Sequence, residues 1–203
     1  SIFGECPNLT IHAKAGTDSE SYAKKNGISF EEIVSLTDEE KMINEERYSE
    51  HGEFISMIYD TLKVDLADDL EEFVRHNMYL FPSDSYSETE RLVDHDITYD
   101  KLLCSVDEHR TSFVILWGAV LSKDEIVIEN NTYTTLTLVD FNDDDEPLLT
   151  AVVYLGELPD IENGCLINFN GIPIQTMFFN GLSDPILFFL ASHIENCGKV
   201  NDL

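Results

Sequence analysis

One stretch, from Thr37 to Phe81, combines the clearest helical pattern of the chain with its densest run of carboxylates. It holds thirteen acidic residues from Asp38 through Glu72, against the basic residues Lys41, Arg47, Lys63 and Arg75. Thr37 followed three residues later by Glu40 is a capping box, in which the two side chains satisfy backbone donors at a helix start. We therefore predict that a helix begins at this point.

Apolar residues recur at helical spacing later in the same stretch and predict two buried helix faces. The first helix has an apolar face only in its second half, formed by Phe54, Ile55, Ile58, Tyr59 and Leu62. Residues 39–50 are polar nearly all round, so we expect its first turns to project into water. Asp65 can cap a second helix, which ends before Pro82 and buries Leu66, Leu70, Phe73 and Val74.

The overall charge limits the class of partner. The 203 residues include 40 acidic and 12 Lys or Arg side chains, a formal net charge of −28. Binding to nucleic-acid phosphates or to anionic membranes depends on cationic side chains near the surface, so neither is expected. The excess of negative charge favours a basic protein partner, a cation, or simply solubility. Because 43% of the residues are hydrophobic, the chain has the material for one folded domain spanning 1–203.

The pattern changes from helices to strands after a connection at residues 82–100. The continuous apolar run from Ser112 to Leu121 predicts a central strand that is buried on both faces. Shorter strand patterns follow, and Asn170-Gly171 has the composition of a hairpin turn between the last two. These strands are expected at residues 126–128, 133–141, 148–155, 165–169 and 174–179.

Both ends of the chain carry helix signals. Ser29 can cap a short helix, and Asp184 followed by Pro185 predicts a closing helix that runs through Ile194 and ends at Gly198. The expected fold class is α+β, with N-terminal acidic helices in about residues 1–100, an antiparallel β-meander of about five or six strands, and a C-terminal helix. A parallel sheet is disfavoured, because the loops between strands are too short for crossovers.

Compartment signals are weak. No apolar run reaches the roughly 18 residues of a membrane span, and residues 1–16 lack a basic leader with an apolar core. The four cysteines show no paired spacing, which favours reduced, mostly buried thiols in the cytoplasm over a zinc site. We therefore expect a cytoplasmic protein without a cofactor or a bound metal. The cysteines are Cys6, Cys104, Cys165 and Cys197.

The segment 140–146 resembles a calcium loop at its alternating acidic positions. It lacks the other ligands of that motif, because Asp145 stands where Gly makes the turn and Ala151 stands where a bidentate Glu is needed. A solvated hairpin tip that could receive Lys or Arg from a partner is the simpler interpretation.

The candidates for catalysis are histidines beside carboxylates and one cysteine. His95 lies between two aspartates, and His109 follows Asp107 and Glu108, an arrangement that can raise a His pKa or orient a general base. Cys104 with His109 and Asp107 forms the one nucleophile, base and orienting group within a short span. Cys104 follows two leucines, however, which favours a place in the core.

These observations favour an acidic, non-enzymatic binding protein that neutralises or chaperones a basic protein partner. Immunity proteins, inhibitors and nucleic-acid mimics act in this way, through patterned carboxylates that steer a cationic surface. The expected partner-binding residues are Asp65, Asp68, Asp69, Glu71, Glu72, Asp143, Asp144, Asp145 and Glu146.

Two alternatives remain open. One is a small hydrolase using His95, His109 or Cys104, and the other is a structural or scaffold subunit of a larger assembly. A contiguous carboxylate face would support the binding protein, a cleft lined by His and Cys the hydrolase, and an exposed apolar patch the scaffold.

Overall fold

The computed structural model describes residues 10–13, 18–32, 36–64, 68–83, 85–141, 147–179 and 185–200. The chain forms two compact units, Ser1–Lys41 and Met42–Leu203. Among the described residues, no helix has the length and apolar character needed to cross a membrane.

The first unit contains a β-α-β arrangement. Strand β1 (Thr10–Ala13) is followed by helix α1 (Asp18–Asn26) and strand β2 (Ser29–Glu32), and the two strands pair in parallel. Gly27 makes the turn after α1 with a φ of +63°, a conformation that glycine adopts without steric cost. The predicted short helix at Ser29 is therefore wrong, because α1 returns the chain so that this segment pairs with β1.

The predicted acidic helix is α2 (Asp38–Leu62). Its capping box is confirmed: the Thr37 amide donates to Glu40 Oε2 at 2.6 Å, and the Glu40 amide donates to Thr37 Oγ1 at 3.1 Å. Helix α2 ends where Lys63 takes a φ of +50°. Helix α3 (Asp68–His76) follows, and all five residues predicted for the apolar face of α2 are buried.

Short helices lead from α3 to the strands. A 3-10 helix (Met78–Leu80) precedes α4 (Tyr86–Thr89), and a second 3-10 turn (Glu90–Leu92) continues it. Helix α5 (Tyr99–Ser105) runs directly into a third 3-10 turn (Val106–His109). Thr98 caps α5 by accepting a hydrogen bond from the Lys101 amide.

Five strands then close into a barrel. They are β3 (Val114–Ile128), β4 (Asn131–Phe141), β5 (Pro147–Tyr154), β6 (Cys165–Met177) and β7 (Ile186–Lys199). Their order around the barrel is β3-β4-β5-β7-β6, with β6 paired back to β3. Only β5 and β7 run parallel, and the other pairs are antiparallel.

The barrel confirms the α+β class and the mostly antiparallel sheet but corrects two predicted elements. The closing helix is wrong, because Ile186–Lys199 is strand β7, and its insertion between β5 and β6 creates the parallel pair that was not expected. Asn170-Gly171 is not a turn but lies within β6, at a register shift opposite Ala191. A Cβ atom on Gly171 would lie 2.4 Å from the Leu190 carbonyl oxygen, so close backbone approach explains this glycine.

Two apolar clusters hold the second unit together. One fills the barrel, with alternate residues of every strand pointing inward, and includes Val120, Leu138, Ile167 and Phe169. The other lies between the barrel wall and helices α2 and α3, where the Phe54 ring stacks on Tyr133 with centroids 3.7 Å apart. Val114, Leu138 and Val153 are buried in these clusters. Trp117 is a wrong prediction, since 51% of its surface is exposed.

Gly52 offers a test of the packing around α2. It lies inside the helix, where glycine costs roughly 0.5–1 kcal/mol relative to alanine because the unfolded chain has more freedom to lose. A Cβ atom there would meet the Tyr48 ring at 3.4 Å, an ordinary contact. We expect Gly52→Ala to raise the free energy of unfolding by about that amount in urea denaturation. An unchanged or lower value would mean that the ring contact is repulsive.

Candidate functional site

Helix α2 is anchored by polar residues on its inner face. Asn44, which is buried, donates to the His76 carbonyl and accepts the Tyr79 amide at 2.7 Å. Arg47 donates to the Tyr79 carbonyl at 3.1 Å and also to the Pro82 carbonyl. These bonds satisfy backbone groups of the segment after α3 and fix the rotation of α2 about its own axis.

The opposite side of α2 is acidic. We call it the α2 outer face and define it by Glu46, Glu50, Glu53, Met57 and Asp60, which are three or four residues apart and all exposed. Residues at this spacing share one side of a helix. Met57 is 43% exposed and sits among the carboxylates. Methionine is enriched at protein interfaces, so the face combines negative charge with an apolar contact.

Two nearby arginines do not neutralise the α2 outer face. Arg47 lies on the inner side and bonds backbone carbonyls, as described above. Arg75 of α3 stacks on the Tyr48 ring at 4.6 Å from its centroid and donates to the Tyr48 hydroxyl at 3.3 Å. That hydroxyl in turn donates to Glu71 Oε1 at 3.2 Å. The two arginines thus serve the packing of α2 and α3.

The β3–β4 turn adds a further carboxylate beside α2. Asn131 Nδ2 donates to the Glu50 carbonyl at 3.4 Å, which places the turn against the helix. The pKa of Tyr133 is raised, mainly by burial, and the carboxylates of Glu129, Glu50 and Glu53 raise it further. Three acidic side chains from two elements therefore act on one phenol, so the negative potential extends from α2 to the turn.

His51 lies beneath this acidic surface. Its Nδ1 is 3.2 Å from the Tyr133 hydroxyl, and the two rings meet edge to face. Burial lowers the pKa of His51, an effect that the Glu50 carboxylate opposes and Arg47 reinforces. The imidazole is thus kept neutral at the base of the carboxylate face.

The lowered pKa of His51 predicts a pH dependence of stability. The unfolded chain takes up this proton near the ordinary value of 6.5, whereas the folded protein does so only at lower pH. The unfolded state therefore binds more protons in that window, and the free energy of unfolding falls as the pH drops through it. We expect His51→Gln to remove this contribution in urea denaturation between roughly pH 8 and about pH 5. Equal pH slopes for the two proteins would contradict it.

The predicted partner-binding residues have different outcomes. Asp65 and the group Asp143 to Glu146 lie outside the described residues. Asp68 and Asp69 belong to α3, but their side chains are also outside the description. Glu71 is half-buried and engaged with Tyr48 and Arg75, whereas Glu72 is exposed. Those predictions remain predictions, and the α2 outer face is the acidic surface that the described residues define in most detail.

The residues of the hydrolase alternative are not brought together by any hydrogen bond among the described residues. Cys104 is exposed on α5, which corrects its expected core position. His95 is exposed in the turn before α5, and His109 is half-buried at the end of the last 3-10 turn. Asp107, expected to orient His109, instead pairs with Arg110 at 2.6 Å.

The remaining cysteines and metal ligands add no further site. Cys165 is buried and Cys197 is exposed, so of the three free cysteines described only one fits the expectation of a buried thiol. Across the described ranges, no group of three or more His, Cys, Asp or Glu side chains is arranged to hold a metal ion.

An apolar surface on the outside of the barrel was missed by the sequence analysis. The run Ser112 to Leu121 predicts a strand covered on both faces, yet Trp117 and Leu121 of β3 are exposed. Phe141, the last residue of β4, is 55% exposed. The signal that could have found this surface is the lack of polar alternation along β3, in which Trp117 and Leu121 are exposed.

Comparison with known proteins provides no relative from which to carry over a function. No protein-family model and no curated protein matches the chain. Among solved structures, an OBody bound to hen egg-white lysozyme aligns with 48% of this chain and 93% of its own length, at 13% sequence identity and a TM-score of 0.33. A likeness this weak carries no conclusion about fold or function.

Proposed function

We propose that this chain is an acidic, non-enzymatic binding protein that neutralises or chaperones a basic protein partner, in the manner of an immunity protein or inhibitor. The observation that supports this most directly is the α2 outer face, where four exposed carboxylates line one side of a long helix. The helix is held rigidly by Asn44 and Arg47. A preorganised row of like charges steers an oppositely charged protein and excludes partners of the same sign.

The pairing of Lys side chains in the second unit also supports the proposal. Its described cations are largely engaged: Lys123 bonds the Leu158 carbonyl at 2.7 Å and Glu125 at 2.9 Å, and Lys199 pairs with Glu162 at 2.9 Å. Their charges are therefore compensated locally, and the acidic side chains in excess of Lys and Arg account for the formal net charge of −28. The exposed carboxylates produce a strongly negative surface potential, which attracts a cationic protein and repels nucleic acids.

The remaining acidic groups named from the sequence belong to the same proposal. Glu72 and the α3 aspartates follow α2 in the chain, and the segment Asp143 to Glu146 offers a second cluster. A protein that mimics nucleic acid is a special case, in which the spacing of carboxylates would follow that of phosphates.

Affinity capture tests the proposed function. The full chain, immobilised through a terminal tag, is exposed to an extract of its source organism, and retained proteins are eluted with rising salt. We expect a protein of strongly basic composition that elutes with salt and rebinds in purified form with an affinity that falls as salt rises. Retention of neutral or acidic proteins alone, with an affinity indifferent to salt, would overturn the proposal.

The scaffold alternative also has an observation in its favour, the exposed apolar residues on the barrel. A scaffold subunit would bind partners through that surface whatever their charge. The salt dependence measured in the same experiment separates the two, because apolar contacts are not weakened by screening.

A further inference from the structure

The outer side of the barrel wall carries a row of apolar residues across four neighbouring strands. Ala119 of β3 lies opposite Val139 of β4 on one side and opposite Leu166 of β6 on the other. Val139 lies in turn opposite Leu149 of β5. Val120, Leu138 and Ile167, their neighbours in sequence, belong to the core inside the barrel. Since strand residues alternate between faces, this row points outward.

Larger exposed side chains flank this row. Trp117 and Leu121 lie on β3, two residues to either side of Ala119, and are 51% and 43% exposed. Phe141 lies two residues after Val139 on β4 and is 55% exposed. Ala119 and Val139 are themselves buried, at 7% and 6% exposure, and form the floor. We call this surface the β3 platform, defined by Trp117, Ala119, Leu121, Val139, Phe141 and Leu166.

Such a surface is unusual on the outside of a mainly antiparallel sheet. A sheet face in contact with water normally carries polar residues at alternate positions. Contiguous exposed apolar area, particularly with a large aromatic ring, is typical of an interaction site. We therefore treat the β3 platform as an interaction site.

The charges around the β3 platform indicate which kind of partner it binds. Glu195 of β7 is exposed opposite Asn168 of β6, which itself lies opposite Trp117 on the same outer face. Lys123, the cation on β3, is engaged by Glu125 and by a backbone carbonyl. The rim is thus negative, and a second copy of the chain would bring two charges of −28 together. Anionic lipid surfaces are repelled for the same reason.

We infer that the β3 platform binds a basic amphipathic segment of a partner protein, with its apolar side chains on the Trp117 surface and its Lys or Arg side chains toward Glu195. The mode resembles the docking of an amphipathic helix in an apolar groove. The inference rests on the proposed function only for the basic character of the partner. It adds a second contact to the proposed function. The α2 outer face attracts the partner, and burial of apolar side chains on the β3 platform stabilises the complex once it has formed.

Trp117 is the only tryptophan of the chain, so its fluorescence reports on this surface alone. The probe is a synthetic helical peptide of Leu and Lys with every Leu on one face. The control is a peptide of the same composition with the Leu residues distributed all round the helix. With the amphipathic peptide we expect a saturable shift of Trp117 emission to shorter wavelength and weaker quenching by acrylamide, because the ring leaves water.

Matched variants locate the contact. Leu121→Ser with Phe141→Ser removes two exposed apolar groups of the β3 platform, and we expect the affinity for the amphipathic peptide to fall roughly tenfold or more. Ile126→Ser with Val127→Ser removes two exposed apolar groups from the far end of the same strand and should leave the affinity unchanged. Circular dichroism and urea denaturation establish that both variants fold.

Each other outcome overturns the inference in a distinct way. Salt-dependent binding of both peptides without a Trp117 response would overturn the platform and leave the proposed function standing. Failure of both peptides to bind would overturn the inference about the platform, whereas the proposed function is decided by the affinity capture. A concentration-dependent shift without peptide, with a dimer in sedimentation, would assign the surface to a second copy. Equal loss of affinity in the two double variants would place the contact elsewhere.

Discussion

Reversing Glu46, Glu50 and Glu53 to Lys should slow association with the captured basic partner roughly tenfold to a hundredfold at low ionic strength, because electrostatic steering by a patterned charged surface contributes about 10 to 10³ in association rate. The dissociation rate should change less, since exposed charges act mainly during encounter. The fold should persist, because all three side chains are exposed and form no part of the contacts between α2 and the barrel.

The control for this triple variant changes the net charge by the same amount at other places. Glu90, Asp100 and Asp160 are exposed outside α2, and their reversal to Lys leaves the α2 outer face intact. Stopped-flow association rates for both triple variants, taken over a series of salt concentrations, separate local steering from total charge. If the two variants slow association equally, the partner senses only the net charge, and the α2 outer face loses its assigned role.

Gly171→Ala should destabilise the protein by roughly 3 kcal/mol or more, because the added methyl group cannot be placed without moving a strand. A Cβ atom at this position would lie 2.4 Å from the Leu190 carbonyl oxygen and 2.8 Å from the Ala191 Cα. Both contacts are with backbone of β7, which lies between two other strands of the barrel. The melting temperature should fall by roughly 6–12 °C for a chain of this size.

Gly156→Ala provides the comparison for that substitution. The nearest atom to its added Cβ is Cε1 of the Tyr154 ring, at 3.1 Å, and a side-chain ring can move where a strand cannot. We expect a change in melting temperature of a few degrees at most. Differential scanning calorimetry on both variants gives the measurement. If Gly171→Ala has the same melting temperature as the wild type, β6 and β7 must be farther apart at this position than the 2.4 Å contact implies.

Local signals in the sequence predicted local structure well. The capping box at Thr37 and Glu40 has a stereochemical cause within four residues, and the apolar spacing from Phe54 to Leu62 needs only one surface to pack against. Both were confirmed for that reason. The position of Arg47 was not predictable in the same way, because its acceptors are carbonyl groups more than thirty residues away in the chain.

Which strand is covered on both faces depends on tertiary placement, and an apolar run such as Ser112 to Leu121 does not by itself reveal it. Residues 186–191 form a short apolar run that fits a helix or a buried strand equally, and a preceding Asp-Pro pair favoured the helix. In the barrel, Leu187, Phe189 and Ala191 point inward, while Leu190 packs toward α2 and α3. The run in β3 is also apolar throughout, yet its outer face is the exposed platform.

The candidate site was predictable in kind but not in position. The density of carboxylates in 38–72 indicated an acidic surface, and only the packing of Asn44, Arg47 and Tyr48 shows which side of α2 remains in water. Glu129 joins the acidic surface through the β3–β4 turn, eighty residues along the chain, and no spacing pattern could have indicated that.

The position of β7 has a consequence for synthesis on the ribosome. Chains emerge from their N-terminus, so β5 and β6 leave the ribosome before the strand that separates them in the finished barrel. Until β7 arrives, each presents an unpaired edge that offers hydrogen bonds to any extended chain nearby. Nascent chains stalled before residue 186 should therefore be retained by chaperones or aggregate, while chains released after residue 199 should not.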